Sequence, residues 1–156
     1  MSAYHVRPAT LDDADVLVRH RIEMFADMDV PLDAAALRPA FRAWLAEMMP
    51  PGTYRAWLVE HEGRVVAGGG ITVLPWPPGP RYMGDRLAFV YNVYTEPAHR
   101  RRGLARLLMD AIHDWCRDAG ITSMALNASR DGQPLYTAMG YAESPSPMMF
   151  LPIVRV

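Results

Sequence analysis

The sequence predicts a mixed α/β fold, built as one domain over residues 1–156. Strand-like runs alternate with stretches of helical periodicity along the chain. One of those stretches, from Leu104 onward, carries a single apolar stripe that only a helix lying on a sheet would bury. No repeat, linker or low-complexity tract divides the chain, and 156 residues are enough for one substantial core but few for two.

The elements follow in order. "YHVRPA" reads as a short strand ending at Pro8, after which Thr10 is placed to cap a helix by accepting from the Asp13 N–H. Asp12 and Asp13 suit the positive end of that helix's dipole. Ala14, Val18, Ile22 and Phe25 recur at helical spacing and carry it to about 25–28. A second helix fits 34–49, with Leu37, Phe41, Trp44, Leu45 and Met48 on one stripe. "MMPPG" stops it, because proline can neither donate nor continue a helix.

"TYRAWLVEHEGRVVAGGGITVL" reads as a hairpin of strands 54–60 and 64–74 around a turn at Glu62-Gly63. Gly68, Gly69 and Gly70 weaken the second strand and imply a bulge or a close approach by another backbone. A proline- and glycine-rich loop, "PWPPGPRYMGD", leads to a strand over 86–95. Leu104, Leu107, Leu108, Ala111, Ile112 and Trp115 then trace the buried face of a helix that Gly120 ends. "ITSMALNAS" is a strand and "GQPLYTAM" a short helix, while "GYAES" and "PMMFLPIV" are expected to supply closing strands.

Composition excludes several function classes. A net charge of -1 gives no bulk attraction to nucleic acid or to an anionic membrane. No apolar run approaches the roughly 20 residues that span a bilayer. The start, "MSAYHVRPATLDDADV", lacks the apolar core of a signal peptide. Cys116 is the sole cysteine, so an internal disulfide framework is excluded and a cytoplasmic location is expected. The histidines show neither HExxH nor Cys/His ligand spacing, which argues against a metal site.

The chemistry concentrates where "NVYTEP" gives way to "AHRRRGLARLL". The first turn of a helix carries N–H groups without intrahelical partners, and its dipole adds about half a positive charge there. Gly103 removes the Cβ that would hold an anion off this backbone, and Arg100, Arg101, Arg102 and Arg106 can add charge-assisted hydrogen bonds. The pattern Arg100-x-x-Gly103-x-Ala105 is neither a Walker loop nor GxGxxG. Following a strand and opening an amphipathic helix, it reads as a phosphate cradle.

"NVYTEPAHRRRGLARLL" followed by "LNASRDGQPLYTAMGY" resembles the GNAT superfamily of acetyl-CoA-dependent N-acetyltransferases. The resemblance implies a central, mostly antiparallel twisted sheet whose middle strands splay apart, flanked by helices. It implies that acetyl-CoA is the co-substrate, its diphosphate on the backbone amides of Arg101, Arg102, Gly103, Leu104, Ala105 and Arg106. Its pantetheine arm would pair along Val93, Tyr94 and Thr95, and Asn127 would hydrogen-bond it from the second splayed strand. Tyr136 matches the tyrosine acid that protonates the leaving thiolate.

The implied activity is direct transfer of an acetyl group to a small-molecule or peptide amine, without metal, nucleic acid or membrane. Members of such families often pair, so a homodimer is compatible with the resemblance. Family members often place a glutamate mid-strand as base, whereas Tyr91 and Asn92 occupy that region here. Water or a carboxylate among Glu23, Asp27 and Asp29 remains open as base, and Glu96 is expected near the phosphate end. Cys116 is expected to be an inert core thiol and His99 a surface turn residue. The rival readings are an acyl-CoA sensor of the same fold and a DNA-binding protein using the arginines on phosphates.

Overall fold

The computed structural model describes residues 3–153. Its regular elements are β1 (His5–Pro8), α1 (Ala14–Asp27), α2 (Ala34–Met48), β2 (Tyr54–His61), β3 (Arg64–Pro75), β4 (Arg86–Thr95), α3 (Leu104–Asp118), β5 (Met124–Leu126) and α4 (Gln133–Ala138). The strands form one five-stranded sheet in the order β1-β2-β3-β4-β5. Every neighbouring pair is antiparallel except β4 and β5, which run parallel. The fold is the mixed α/β architecture that the element order predicts.

Alternation along the strands divides the core between the two faces of the sheet. Ala56 and Leu58 of β2 pack with Ala14, Leu17 and Val18 of α1 and with Phe41 and Leu45 of α2. Trp57 and Val59, the alternate residues, pack with Leu104, Leu108, Met109, Ile112 and Cys116 of α3. Leu45, Leu58, Ile71, Leu108 and Ile112 are fully closed to solvent. The α3 stripe read from spacing is therefore the seam that holds this helix across the sheet.

The Thr10 cap forms as expected, in a capping box with Asp13, and the Thr10 hydroxyl accepts from Asp12 as well. Residues 11–13 form a 3-10 turn ahead of α1, and its tighter pitch brings the Asp12 N–H to the Thr10 hydroxyl at 3.3 Å. Asp13 reaches back to accept from the Thr10 N–H at 2.8 Å, and Arg7 holds its carboxylate with two hydrogen bonds.

The triple glycine marks a bulge, but the extra residue lies in the neighbouring strand. Gly68 pairs with Tyr94 and Gly70 with Tyr91, so two residues of β4, Asn92 and Val93, stand opposite Gly69. Asn92 takes up the irregularity at φ +60, in the left-handed region that asparagine tolerates. The close approach comes from side chains as well as backbone. A Cβ on Gly70 would lie 2.3 Å from the Tyr54 hydroxyl oxygen and 2.7 Å from the Arg55 carbonyl oxygen.

Pairing of β4 with β5 ends at Val90 and Leu126, while β4 runs on to Thr95. The two strands thus part where the bulge begins. The strand expected from "ITSMALNAS" is confined to Met124–Leu126.

The expected closing strands are corrected: no strand follows α4 among the described residues, and Val154, at the end of the second, lies outside them. Pro145, Pro147 and Pro152 remove three of the N–H donors a ladder there would need. Met148, Met149, Phe150, Leu151 and Ile153 are left exposed. In the loop before β4, Trp76 donates to the Tyr82 hydroxyl and Gly79 pairs with Tyr82, which supports ordinary packing within the loop.

Candidate active site

At the start of α3 the backbone is open and without a side-chain cap among the described residues. Gly103 is its N-cap residue at φ +77, and no side chain among the described residues caps the helix. Leu107 is the residue whose N–H reaches back to the Gly103 carbonyl, at 3.0 Å, leaving the first-turn N–H groups before it without helical acceptors. A Cβ built on Gly103 would meet nothing within 4 Å among the described residues, which leave the space over the turn open. Arg101, in the left-handed region at φ +63, turns the chain into it.

The four arginines are not equivalent. Arg101, Arg102 and Arg106 are exposed and form no ion pair among the described residues. Arg100 folds back instead: its Nε donates to the Thr95 carbonyl at 2.9 Å and its Nη2 pairs with Asp27. Its guanidinium lies 5.6 Å from the Tyr94 ring centre. Leu104 is buried in the α3 core and Ala105 is half-buried, which anchors the turn against the sheet.

The splayed stretch of β4 presents different faces. Val93 packs with the α3 cluster, and its methyl would stand 3.2 Å from a Cβ at Gly69. Tyr94 points to the opposite face, buried against His20 with ring centres 5.0 Å apart. Burial, then the neighbouring Glu23, push its phenol up to about 12. Thr95 is half-buried. Asn127, just beyond β5, is exposed and makes no side-chain hydrogen bond among the described residues.

Tyr136 projects from α4 into the α3-side core, edge-on to Tyr141 at 5.8 Å. The ring seats over Gly132, where a Cβ would come within 2.9 Å of Tyr136 Cε2. Its hydroxyl has no hydrogen-bond partner among the described residues and is not among their sealed polar atoms. Burial raises its pKa. Its phenol is therefore a weaker acid than a free one.

The carboxylates weighed as bases are largely engaged. Glu23 pairs with Arg19 at 3.4 Å, Asp27 with Arg100, and Glu96 with Arg19 at 2.7 Å and His20 Nε2 at 3.2 Å. Glu96 is thus tied to α1. Asp29 is exposed at φ +53 beyond α1. His99 is half-buried, its Nδ1 3.0 Å from the Tyr4 hydroxyl, and not a bare surface turn residue. Cys116 is buried, and burial pushes its thiol up to about 11.

Two groups beside the bulge escaped the sequence reading. His20 is buried with Nε2 toward Glu96 and Nδ1 without a partner among the described residues. Arg21 donates from Nη1 to Asn92 Oδ1 at 2.6 Å, and Asn92 donates onward to the Tyr54 hydroxyl at 2.9 Å. A signal for Arg21 was present. It continues the Ala14, Val18, Phe25 stripe at i+7 from Ala14, so it is an arginine on the buried face of an amphipathic helix.

Among the described residues no group of three or more His, Cys, Asp or Glu could hold a metal ion. No described helix is long and apolar enough to cross a membrane.

A bulged and splayed β4, followed by an uncapped arginine-rich helix start, defines the class. A model of the Acetyltransferase (GNAT) family matches residues 20–141, and the chain belongs to that family. Among solved structures, it is similar to a GCN5-related N-acetyltransferase from Ralstonia eutropha JMP134. That protein is 35% identical with a TM-score of 0.86, over 97% of this chain and 99% of the other. A predicted acetyltransferase from Clostridium acetobutylicum, solved with acetyl-CoA, superposes with a TM-score of 0.87 at 21% identity, over 96% of each chain. That likeness shows the fold alone. An aminoglycoside N(6')-acetyltransferase type 1 of Serratia marcescens is 33% identical over 61 residues, 37% of this chain. The matched stretch spans 42% of that relative's length.

Proposed function

We propose that the protein is an acetyl-CoA-dependent N-acetyltransferase that transfers the acetyl group directly to an amine in a ternary complex. One observation carries the reading. An open, uncapped helix start with Gly103 at φ +77 lies one 3-10 turn, Pro97–His99, beyond the strand that parts from β5. Backbone amides of 101–106 would hold the coenzyme diphosphate, with Arg101, Arg102 and Arg106 closing over it. Beyond Val90, β4 has no strand partner on its β5 side among the described residues, which supports pairing of the pantetheine arm along Val93 and Thr95 with Asn127 opposite. Arg100, paired with Asp27, serves in holding β4 to α1 and contributes charge from a distance.

The reaction asks little covalent chemistry of the chain. Orienting a thioester beside a neutral amine can supply roughly 7–11 kcal/mol at the upper end. A backbone N–H at the bulge would polarise the thioester carbonyl as negative charge grows on its oxygen. Tyr136 then donates its proton to the leaving sulfur. A phenol near ~10 and a thiol near ~8.5 make that transfer uphill by about 2 kcal/mol before burial widens the gap. The proton must move while charge is developing on sulfur, within the same step. Engagement of Glu23, Asp27 and Glu96 in ion pairs supports removal of the amine proton through water. The depth of Cys116 and its raised pKa speak against an acyl-enzyme.

The reading takes residues 1–156 as one catalytic domain and the cytoplasm as its location, with an amine-bearing small molecule or peptide as acceptor. The unpaired outer edge of β5 and the exposed apolar run at 148–153 support a homodimer, which sedimentation at graded concentration would reveal. The scarcity of uncommitted carboxylates near the bulge favours one rival, a non-catalytic acyl-CoA sensor. Thiol release from acetyl-CoA over a chemically diverse amine panel separates them. Transfer to at least one amine is expected, and tight coenzyme binding without release on any amine would establish the sensor.

A further inference from the structure

Arg21 is the cation beside the reaction centre that the described residues leave without a counter-ion. It sits on α1 with its side chain against β4, and its Nη1 donates to Asn92, the bulge residue at φ +60. A guanidinium has five N–H donors. Here one is accepted by the protein, and Nε is sealed from solvent with no partner among the described residues. The rings of Phe25 and Phe41 each lie 4.9 Å from its central carbon. Aromatic rings stabilise a cation through its faces, whereas guanidinium donors lie in its plane and need acceptors along its edge.

No carboxylate pairs with Arg21 among the described residues, although α1 supplies Glu23 and Asp27 to Arg19 and Arg100. Burial accordingly lowers its pKa, with the neighbouring Tyr54 and Tyr91 as minor opposing influences. A desolvated charge left unpaired is costly unless something completes it. The local geometry adds a direction. In the reading proposed above, the acetyl group ends beside the bulge, and the bulge residue itself is bonded to Arg21. An amine reaching that carbonyl would approach the residue that Arg21 holds.

We propose that Arg21 recognises an anionic group on the acceptor, so that the natural substrate is a small amine bearing a carboxylate. This rests on the acetyltransferase reading. A carboxylate is favoured over a phosphate because the nearby arginines, Arg19 and Arg100, are already paired with acids, leaving one positive charge for one negative charge. The planar fork also matches a carboxylate edge to edge. The same charge disfavours polycationic acceptors such as aminoglycosides.

The test separates binding from turnover. Calorimetry on the protein saturated with CoA would compare common α- and ω-amino acids with their carboxamides, with phosphoethanolamine and with aminoglycosides; thiol release from acetyl-CoA would be followed in parallel. At least one amino acid is expected to bind at least 10-fold more tightly than its carboxamide. Arg21→Gln should abolish that difference and Arg21→Lys restore part of it, with circular dichroism and melting verifying that each variant folds. Should the variants not fold, the wild-type preference between acid and amide still decides. Discrimination in binding without thiol release would sink the transfer reading and leave the anion site standing. Equal binding of acids and amides, or preference for phosphoethanolamine or an aminoglycoside, would overturn the proposal.

Discussion

Tyr136→Phe isolates a single atom, because the structure gives the Tyr136 hydroxyl no hydrogen bond to lose among the described residues. Its ring is what packs, in contact with the α3 core and edge-on to Tyr141, and phenylalanine retains that ring. The substitution should therefore leave stability within about 0.5 kcal/mol. Positioned general acids contribute typically 10²–10⁴-fold, so kcat should fall at least about 100-fold, or roughly 2.7 kcal/mol in the barrier. Coenzyme affinity should change little, since the proton is needed only as the thioester breaks. The assay is steady-state thiol release on a confirmed acceptor, with CoA affinity by calorimetry and Tm by scanning calorimetry on the same preparations. Unchanged kcat would remove Tyr136 from the mechanism. A large fall in Tm alongside kcat would show that its hydroxyl is structural.

Gly103→Ala forces an L side chain into the left-handed region, at a cost of about 1–2 kcal/mol, without any clash. Its Tm should be roughly 2–8 °C lower, and CoA binding should weaken because the new methyl stands where the diphosphate would lie; unaltered CoA affinity would argue against the cradle. Gly70→Ala meets the Tyr54 hydroxyl and the Arg55 carbonyl, and overpacking of this kind should cost about 1–3 kcal/mol by chemical denaturation. A stability equal to wild type would show that β2 and β3 yield freely there. Burial depresses His20 below its ordinary 6.5, so the unfolded chain binds more protons as pH falls through that value and stability declines. Asp13 and Glu96, also depressed, extend the decline toward about pH 4. Melting temperatures should fall from pH 7.5 to 5, less steeply in His20→Gln, and a flat profile would contradict the assignment.

Local chemistry explains which parts of the fold were legible. The α3 stripe, the Pro50-Pro51 stop and the Glu62-Gly63 turn depend on neighbours in sequence, and the structure follows them. The closing strands do not form because Pro145, Pro147 and Pro152 remove N–H donors that a ladder there would need, a cost that apolar content at 148–153 does not reveal. Placement of the bulge in β4 rather than in β3 could not be read from either strand alone, since it depends on how Gly68–Gly70 meet Tyr91–Tyr94. The proposed phosphate cradle is legible because its residues, 100–106, are contiguous in the chain. The Arg21–Asn92–Tyr54 chain and the His20–Glu96 pair join residues 71, 38 and 76 positions apart, so only folding brings them together.

The most direct measurement is titration of the protein with CoA and, separately, with pantetheine, which shares the arm but lacks the diphosphate. If the helix start at 101–106 holds the diphosphate, CoA should bind at least 100-fold more tightly, with the advantage shrinking as salt screens the arginines. Equal affinity for the two, or no heat from CoA at all, would contradict it.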